Sequence, residues 1–404
     1  MAAKITFAPM RRSLAIAALL CLPFTMAGQN ERDESPLVNV SSGLSFAKDS
    51  VFLLNLRFRM QNRLGFTTAG GDDLSVASTD FRVRRLRLRL DGYMLDERIR
   101  YYVQLNFSRA DLDLESEEVA QPLRDALAYY FFSERFYIGV GQGKLPGNRQ
   151  RVISSGNLQF PDRSIANAAF TLDRDVGLFA YGTIPLGAQQ AQVKGAVTSG
   201  EGRNALVGDA GLCYTGRVEW LPLGAFANSG DYSEGDLELE PRPRLSVGAC
   251  YSYNHRARRT GGQLGPALYA PADIGTFIAD GMLKWQGWAL MGEYFNRTST
   301  PSLTVDDWGA IRSVTTGTGT SVQLSRFWRS RFELAGRYAR IRPGGDAALR
   351  RPSADEALLC ATRYLKGHRI KLQAQLGYRW AGSDASISAP GSAWSGLFQV
   401  EFGI

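Results

Sequence analysis

Apolar side chains recur at every second position, in segments of about ten residues, along most of this 404-residue chain. That alternation limits the available folds more than any motif does. From Phe52 to Gln61 one face carries Phe52, Leu54, Leu56, Phe58 and Met60, and the other Asn55, Arg57, Arg59 and Gln61. A second segment sets Tyr101, Val103, Leu105 and Phe107 against Arg100, Tyr102, Gln104 and Asn106. Helical stripes are almost absent. Sixteen segments qualify as strands: 51–61, 80–91, 98–108, 123–133, 136–142, 175–184, 189–199, 209–220, 242–254, 275–285, 288–298, 315–328, 331–341, 354–366, 369–380 and 393–403. The gaps at 134–135, 286–287, 329–330 and 367–368 are two residues long, and their neighbours run from 9 to about 32. An antiparallel up-and-down meander with one short-looped end has this pattern.

Alternation alone does not say which face is buried. A soluble sandwich packs its apolar faces inward, whereas a membrane barrel turns them toward lipid and encloses water. Two features favour the barrel. Tyr251 and Tyr253 end one apolar face, Trp285 and Trp288 flank one tight turn, and Phe327 and Trp328 flank another, as an interfacial girdle requires. The polar faces also stack like charges: Arg85, Arg87 and Arg89 oppose Leu86, Leu88 and Leu90, an arrangement tolerable where water and anions screen it. The last strand, with Trp394, Phe398, Val400, Phe402 and Ile404 on one face, can close against the first. A mean hydropathy of -0.19 leaves no room for a bundle of spanning helices, and 21 Phe, 16 Tyr and 7 Trp exclude disorder.

The first 27 residues read as a cleaved secretory signal: Lys4, Arg11 and Arg12 precede an apolar run from Leu14 to Phe24, ending near Ala27. Residues 28–50 then form an N-terminal periplasmic segment, and 51–404 the barrel. Loss of the three signal cations lowers the formal net charge from +8 to +5. Of 47 basic residues only seven are Lys, a bias toward planar, bidentate anion recognition. Cys213, Cys250 and Cys360 offer no metal spacing; a bridge between Cys213 and Cys250 is conceivable, and three unpaired small hydrophobes fit better.

Several stretches resemble the phosphate-selective porin O and P family of bacterial outer-membrane channels, in the form common among Bacteroidota. They are FLLNLRFRMQNRLGF (52–66), FRVRRLRLRLDGYMLDERIRYYVQLNFS (81–108), GQGKLPGNRQRVISSGNLQFPDRSIANAAFTLDRDVGLFAYG (141–182) and GDYSEGDLELEPRPRLSVGACYSYN (230–254). The resemblance implies an all-β fold, a 16-stranded antiparallel transmembrane β-barrel with an inward-folded third extracellular loop that narrows the pore. It further implies residence in the outer membrane amid lipid and lipopolysaccharide, assembly as a homotrimer, and passage of small anions.

The strand layout independently makes 143–174 the longest gap, at the long-looped end, and it carries Lys144, Arg149, Arg151, Arg163 and Arg174. With the strand residues Arg57, Arg59, Arg85, Arg87, Arg89 and Arg100 these form a candidate ladder of modest anion sites, which suits passage better than one deep site. For each arginine, pairing with an acidic neighbour to shape the wall is the competing role. Lysine is too scarce to reproduce the lysine-rich vestibule associated with phosphate-selective members. The expectation is therefore a passive diffusion pore for small hydrophilic solutes that prefers anions, phosphate or other oxyanions among them.

A plugged barrel serving as a docking platform for other outer-membrane proteins is the alternative. Catalysis is not expected, because His255 and His368 fall at opposite ends of the layout; neither a cofactor, a metal nor nucleic acid is an expected partner. The segment 221–241 breaks the short-turn rule and carries Asp231, Glu234, Asp236, Glu238 and Glu240. A solvated acidic turn, or one docking another periplasmic element, is expected there in preference to a divalent-cation site.

Overall fold

The computed structural model describes residues 43–49, 51–108, 121–205, 211–382 and 391–404. The signal expected over 1–27 and most of the segment 28–50 lie outside the described residues.

Sixteen strands follow the alternating segments. They are β1 (Phe52–Thr68), β2 (Arg82–Met94), β3 (Asp96–Asn106), β4 (Leu123–Ser133), β5 (Phe136–Lys144), β6 (Arg174–Leu186), β7 (Gln189–Thr198) and β8 (Cys213–Leu221). Then come β9 (Arg244–Arg259), β10 (Ala267–Trp285), β11 (Trp288–Thr300), β12 (Gly317–Trp328), β13 (Phe332–Pro343), β14 (Ala354–Lys366), β15 (Ile370–Ala381) and β16 (Ala393–Gly403). Each pairs antiparallel with its sequence neighbours, and β1 also pairs with β16, from Arg59 opposite Gly403 to Thr67 opposite Ser395. That seam removes both sheet edges, which a hydrocarbon environment requires. Two short strands, Leu44–Lys48 and Val76–Thr79, extend the ladder at the two ends of β1.

Exposure is inverted relative to a soluble protein. Leu178 and Leu359 are 62% and 52% exposed, while Glu219, Glu333 and Glu401 have no exposure at all. Apolar side chains therefore cover the outside of the cylinder and polar ones fill it, as membrane burial of the outer face demands.

Tight turns gather at one end. Between Trp285 and Trp288 both central residues have positive φ, 48° at Gln286 and 90° at Gly287, the primed turn whose twist matches a hairpin. A Cβ at Gly287 would come within 2.4 Å of the Phe327 carbonyl, so only glycine fits. Trp220, Trp285, Trp288, Trp328 and Phe332 stand exposed around this end. Phe327 departs from the expected girdle: it turns inward, is buried, and meets the Tyr364 ring edge-on at 5.7 Å.

The long segment 145–173 leaves the opposite end, turns into the barrel and crosses it. It contains two short helices, α1 (Arg149–Val152) and α2 (Ile165–Phe170). Ser164 caps α2 by accepting the Asn167 N–H at 3.1 Å. Phe170 packs against Phe295 with centroids 6.3 Å apart, and the absence of a side chain at Gly319 makes room, since a Cβ there would sit 2.7 Å from the Phe170 ring.

The three cysteines among the described residues, Cys213, Cys250 and Cys360, are free and buried. Cys213 lies opposite Asn254 and Cys250 opposite Arg217, so the two thiols are four positions out of register. At ~3.3 Å per residue this is too far for a disulfide without moving the strands.

Candidate pore and its constriction

The inward segment is fastened to one side of the lumen by buried polar contacts. Arg149 donates to Asp280 Oδ1 and to Ser246 Oγ, both at 2.8 Å, and Asp280 also accepts two bonds from Arg217 at 2.6 and 2.9 Å. Glu293 takes the Gln150 N–H at 2.7 Å and the Asn148 amide at 3.1 Å. Gln159 donates to Glu333 at 2.6 Å and to Ser325, while Lys371 donates to the carbonyls of Gly156 and Leu158 at 2.8 and 2.7 Å. From the other side Arg63 meets Asp162 at 2.7 Å, and Arg85 reaches the Pro161 carbonyl at 3.2 Å and Asp162 at 3.3 Å. Burial alone would raise the Asp162 carboxyl, but Arg85, then Arg63 and Arg84, hold it well below the usual carboxylate range.

The acidic segment 222–243 enters from the tight-turn end and meets the inward loop, instead of standing solvated below the barrel. Glu234 N–H donates to the Asn157 carbonyl at 2.9 Å, and the Glu234 carboxylate accepts the Gln159 N–H at 2.8 Å and the Gln150 amide at 3.1 Å. Lys284 donates to the carbonyls of Gly230 and Ser233 at 2.7 and 2.8 Å. Asp236 takes the Gly287 N–H at 2.6 Å. Ser233 Oγ lies 2.9 Å from His368 Nε2, and burial, with Lys371 and Lys284 nearby, pushes that imidazole well below its ordinary value. The Glu234 and Asp236 carboxylates are thus committed to protein donors, and among the described residues no group of three or more His, Cys, Asp or Glu has a metal-binding arrangement.

What remains open is a cavity of about 620 Å³ against the first seven strands. Its wall holds eleven Arg and Lys side chains and two acidic ones, Asp125 and Glu401. The centre is a block of four guanidinium groups, because the register of β1 and β2 sets Arg57 directly opposite Arg89 and Arg59 opposite Arg87. Like charges at that spacing repel. Asp91 at 2.7 Å from Arg89 and 3.9 Å from Arg57, and Glu401 at 3.8 Å from Arg59, offset part of it. Arg59 and Arg87 also donate to Ser155 Oγ of the inward loop, at 2.7 and 2.8 Å, so the loop and the block form one constriction. Facing them, Arg163 donates to the carbonyls of Gln150 and Ile153 at 2.6 and 2.9 Å and is pushed well below its ordinary pKa by burial, then by Arg151 and Arg85.

The residues expected from sequence divide into three groups. Arg57, Arg59, Arg87, Arg89, Lys144, Arg151, Arg163 and Arg174 all reach the cavity wall, although Arg174 is held bidentately by Asp125 at 2.8 and 3.0 Å, Arg151 is paired with Asp173, and Lys144 donates to the Val152 carbonyl at 2.9 Å. Arg100 lies at a separate, smaller recess toward the tight-turn end, 4.2 Å above the Phe131 ring. Arg85 and Arg149 sit behind the wall as anchors of the loop, the latter with no exposure. Sequence reasoning missed Arg124, Lys194 and Arg369 on the wall. Lys194 stood on the polar face of an assigned strand and was the legible one; Arg124 sits at a bulge between Gln104 and Leu105 that shifts the alternation, and Arg369 in a turn.

Comparison with solved structures shows the same fold at low identity. The Salmonella typhi OmpF complex with daunomycin matches at 12% identity and a TM-score of 0.57, covering 89% of this chain and 100% of that one. The anion-selective porin from Comamonas acidovorans matches at 12% identity and 0.52, covering 87% and 99%. Pseudomonas putida OprB, at high pH, matches at 11% identity and 0.54, covering 87% and 94%. No curated protein matches significantly. The family model described as phosphate-selective porin O and P matches residues 54–264, more than half of the sequence. Together with the closed barrel and its basic constriction, that match establishes that the chain belongs to the phosphate-selective porin O and P family.

Proposed function

We propose that this outer-membrane porin passes small hydrophilic solutes with a preference for anions, through the cavity beside the inward loop. The observation that carries the reading is the wall itself, with eleven cationic side chains against two acidic ones. A low-dielectric wall of one charge sign concentrates counter-ions, and guanidinium donors replace part of an anion's hydration. The paired block Arg57, Arg59, Arg87 and Arg89 supplies the central sites, with Lys144, Arg151, Arg163 and Arg174 across from it and Arg100 toward the tight-turn end. No step of this role calls on a nucleophile, an acid–base pair or a cofactor. Cleavage of a signal near Ala27, assembly as a homotrimer and contact with lipopolysaccharide belong to the same proposal.

Reversal potential in a KCl gradient across a planar bilayer tests the selectivity. The wild-type protein is expected to favour chloride, and a quadruple Arg→Gln variant at 57, 59, 87 and 89 to move toward cation preference. An unchanged potential in that variant would remove the block from the mechanism. One observation favours the second reading, a plugged docking platform: segment 222–243 is folded into the barrel against the loop. Absence of conductance steps from correctly folded protein would decide for it.

A further inference from the structure

The lumen wall next to the arginine block is aromatic, which small inorganic anions do not call for. Tyr129 and Phe131 on β4, Tyr137 on β5 and Tyr181 on β6 share the lumen face, and Tyr102 on β3 joins them to Arg89, whose guanidinium lies 4.7 Å from its ring centroid. Tyr137 is stacked between Phe131 at 4.4 Å and Tyr181 at 4.7 Å, and Tyr129 meets Tyr137 edge-on at 5.9 Å. Beside them, between Tyr137 and Lys144, β5 has glycine at every second position, Gly139, Gly141 and Gly143. A Cβ at Gly139 would come within 2.9 Å of the Tyr129 ring, so the strand leaves that ring its place. Elsewhere on the lumen face such large side chains bond to protein, as Tyr364 does to Glu333 at 2.6 Å and Tyr232 to Glu219 at 2.7 Å. The hydroxyls of Tyr102, Tyr129, Tyr137 and Tyr181 make no hydrogen bond to another described residue.

From this juxtaposition we infer that the preferred organic solutes are arylcarboxylates, whose ring travels along the tyrosine strip while the carboxylate engages the guanidinium groups beside it. A simple hydrated anion gains from the arginines alone. A ring adds edge-to-face contact with the tyrosines and sheds apolar surface from water, and the free phenol groups keep the strip wet enough for release. The inference deepens the proposed anion selectivity and rests on it.

The test is block of chloride current in planar bilayers by benzoate, with acetate and cyclohexanecarboxylate as probes of equal charge. Benzoate is expected to halve the current at about one-tenth the concentration acetate needs, consistent with one or two aromatic contacts. Cyclohexanecarboxylate should fall between them. Equal half-blocking concentrations for benzoate and acetate overturn the inference, and so does cyclohexanecarboxylate matching benzoate, which would make the strip merely apolar. These comparisons use the wild-type chain and need no variant to fold. The triple variant Y129L/Y137L/Y181L should keep the chloride reversal potential and lose the benzoate advantage; retention of the advantage would also overturn it. A wild-type channel without anion preference refutes the selectivity reading, whereas anion preference with no discrimination among the carboxylates refutes this inference alone.

Discussion

Arg149 and Arg59 both project into the barrel, but the first meets Asp280 at 2.8 Å with no exposure, and the second meets Ser155 at the cavity wall. Residue type predicts neither role; what lies within reach does. Asp280 neutralises two buried guanidinium groups, Arg149 and Arg217. Asp280→Ala leaves Arg149 without a carboxylate and Arg217 with Glu219 alone, at 2.5 Å, and removing one partner of a buried pair costs about 3–5 kcal/mol. A lowered urea midpoint of the detergent-solubilised protein is the expected result. Arg59→Gln, by contrast, touches a hydroxyl and a distant carboxylate, and should shift stability by under about 0.5 kcal/mol while moving the reversal potential toward cations. The sequence places both arginines on the lumen side and says no more, because the partner of Arg149 lies 131 residues away and no periodicity links them.

At the scale of elements, alternation made the strands legible, whereas the inward fold of the 143–174 loop was implied by the family resemblance alone and that of 222–243 was not foreseen. Period-two alternation declares a strand locally, and the short gaps at 134–135 and 286–287 declare the hairpins. The crossing of 145–173 rests instead on single long-range contacts, such as Gln159 to Glu333 and Lys371 to Gly156, for which a sequence carries no local signal. Segment 222–243 was open for the same reason: its five acidic residues allowed a solvated turn or one docking another periplasmic element, and Asp231, Glu234, Asp236 and Glu240 are all buried. Its docking should depend on pH through His368. Burial holds that imidazole neutral while docked, so its pKa there is depressed, whereas a solvated His protonates near ~6.5. Below that pH the undocked state binds a proton the docked state refuses, and docking weakens by at most about 1.4 kcal/mol per pH unit. Single-channel noise is expected to rise between pH 7.5 and 5, and His368→Gln to flatten the dependence.

For the whole molecule, orientation of the wall follows from the alternating faces, and the sign of selectivity from what the loop leaves uncovered. The arginine excess was visible in 40 Arg against seven Lys, but not that the inward segments would cover one side of the lumen and leave a basic, aromatic cleft on the other. Because that charge acts on solutes through water, screening should erode it. The Debye length falls from about 10 Å at 0.1 M salt to ~3 Å at 1 M. Chloride preference measured at fixed concentration ratio is therefore expected to decline across that range, and a constant value would point to size sieving instead.

The seam between β1 and β16 has a further consequence for biogenesis. Because the barrel's first and last ribbons zip to each other, no partial product can be watertight, however many hairpins it has formed. Deleting residues 393–403 would leave raw amide groups on two flanks at once, so such a truncation should be cleared by quality control rather than accumulate as a leaky, narrower cylinder.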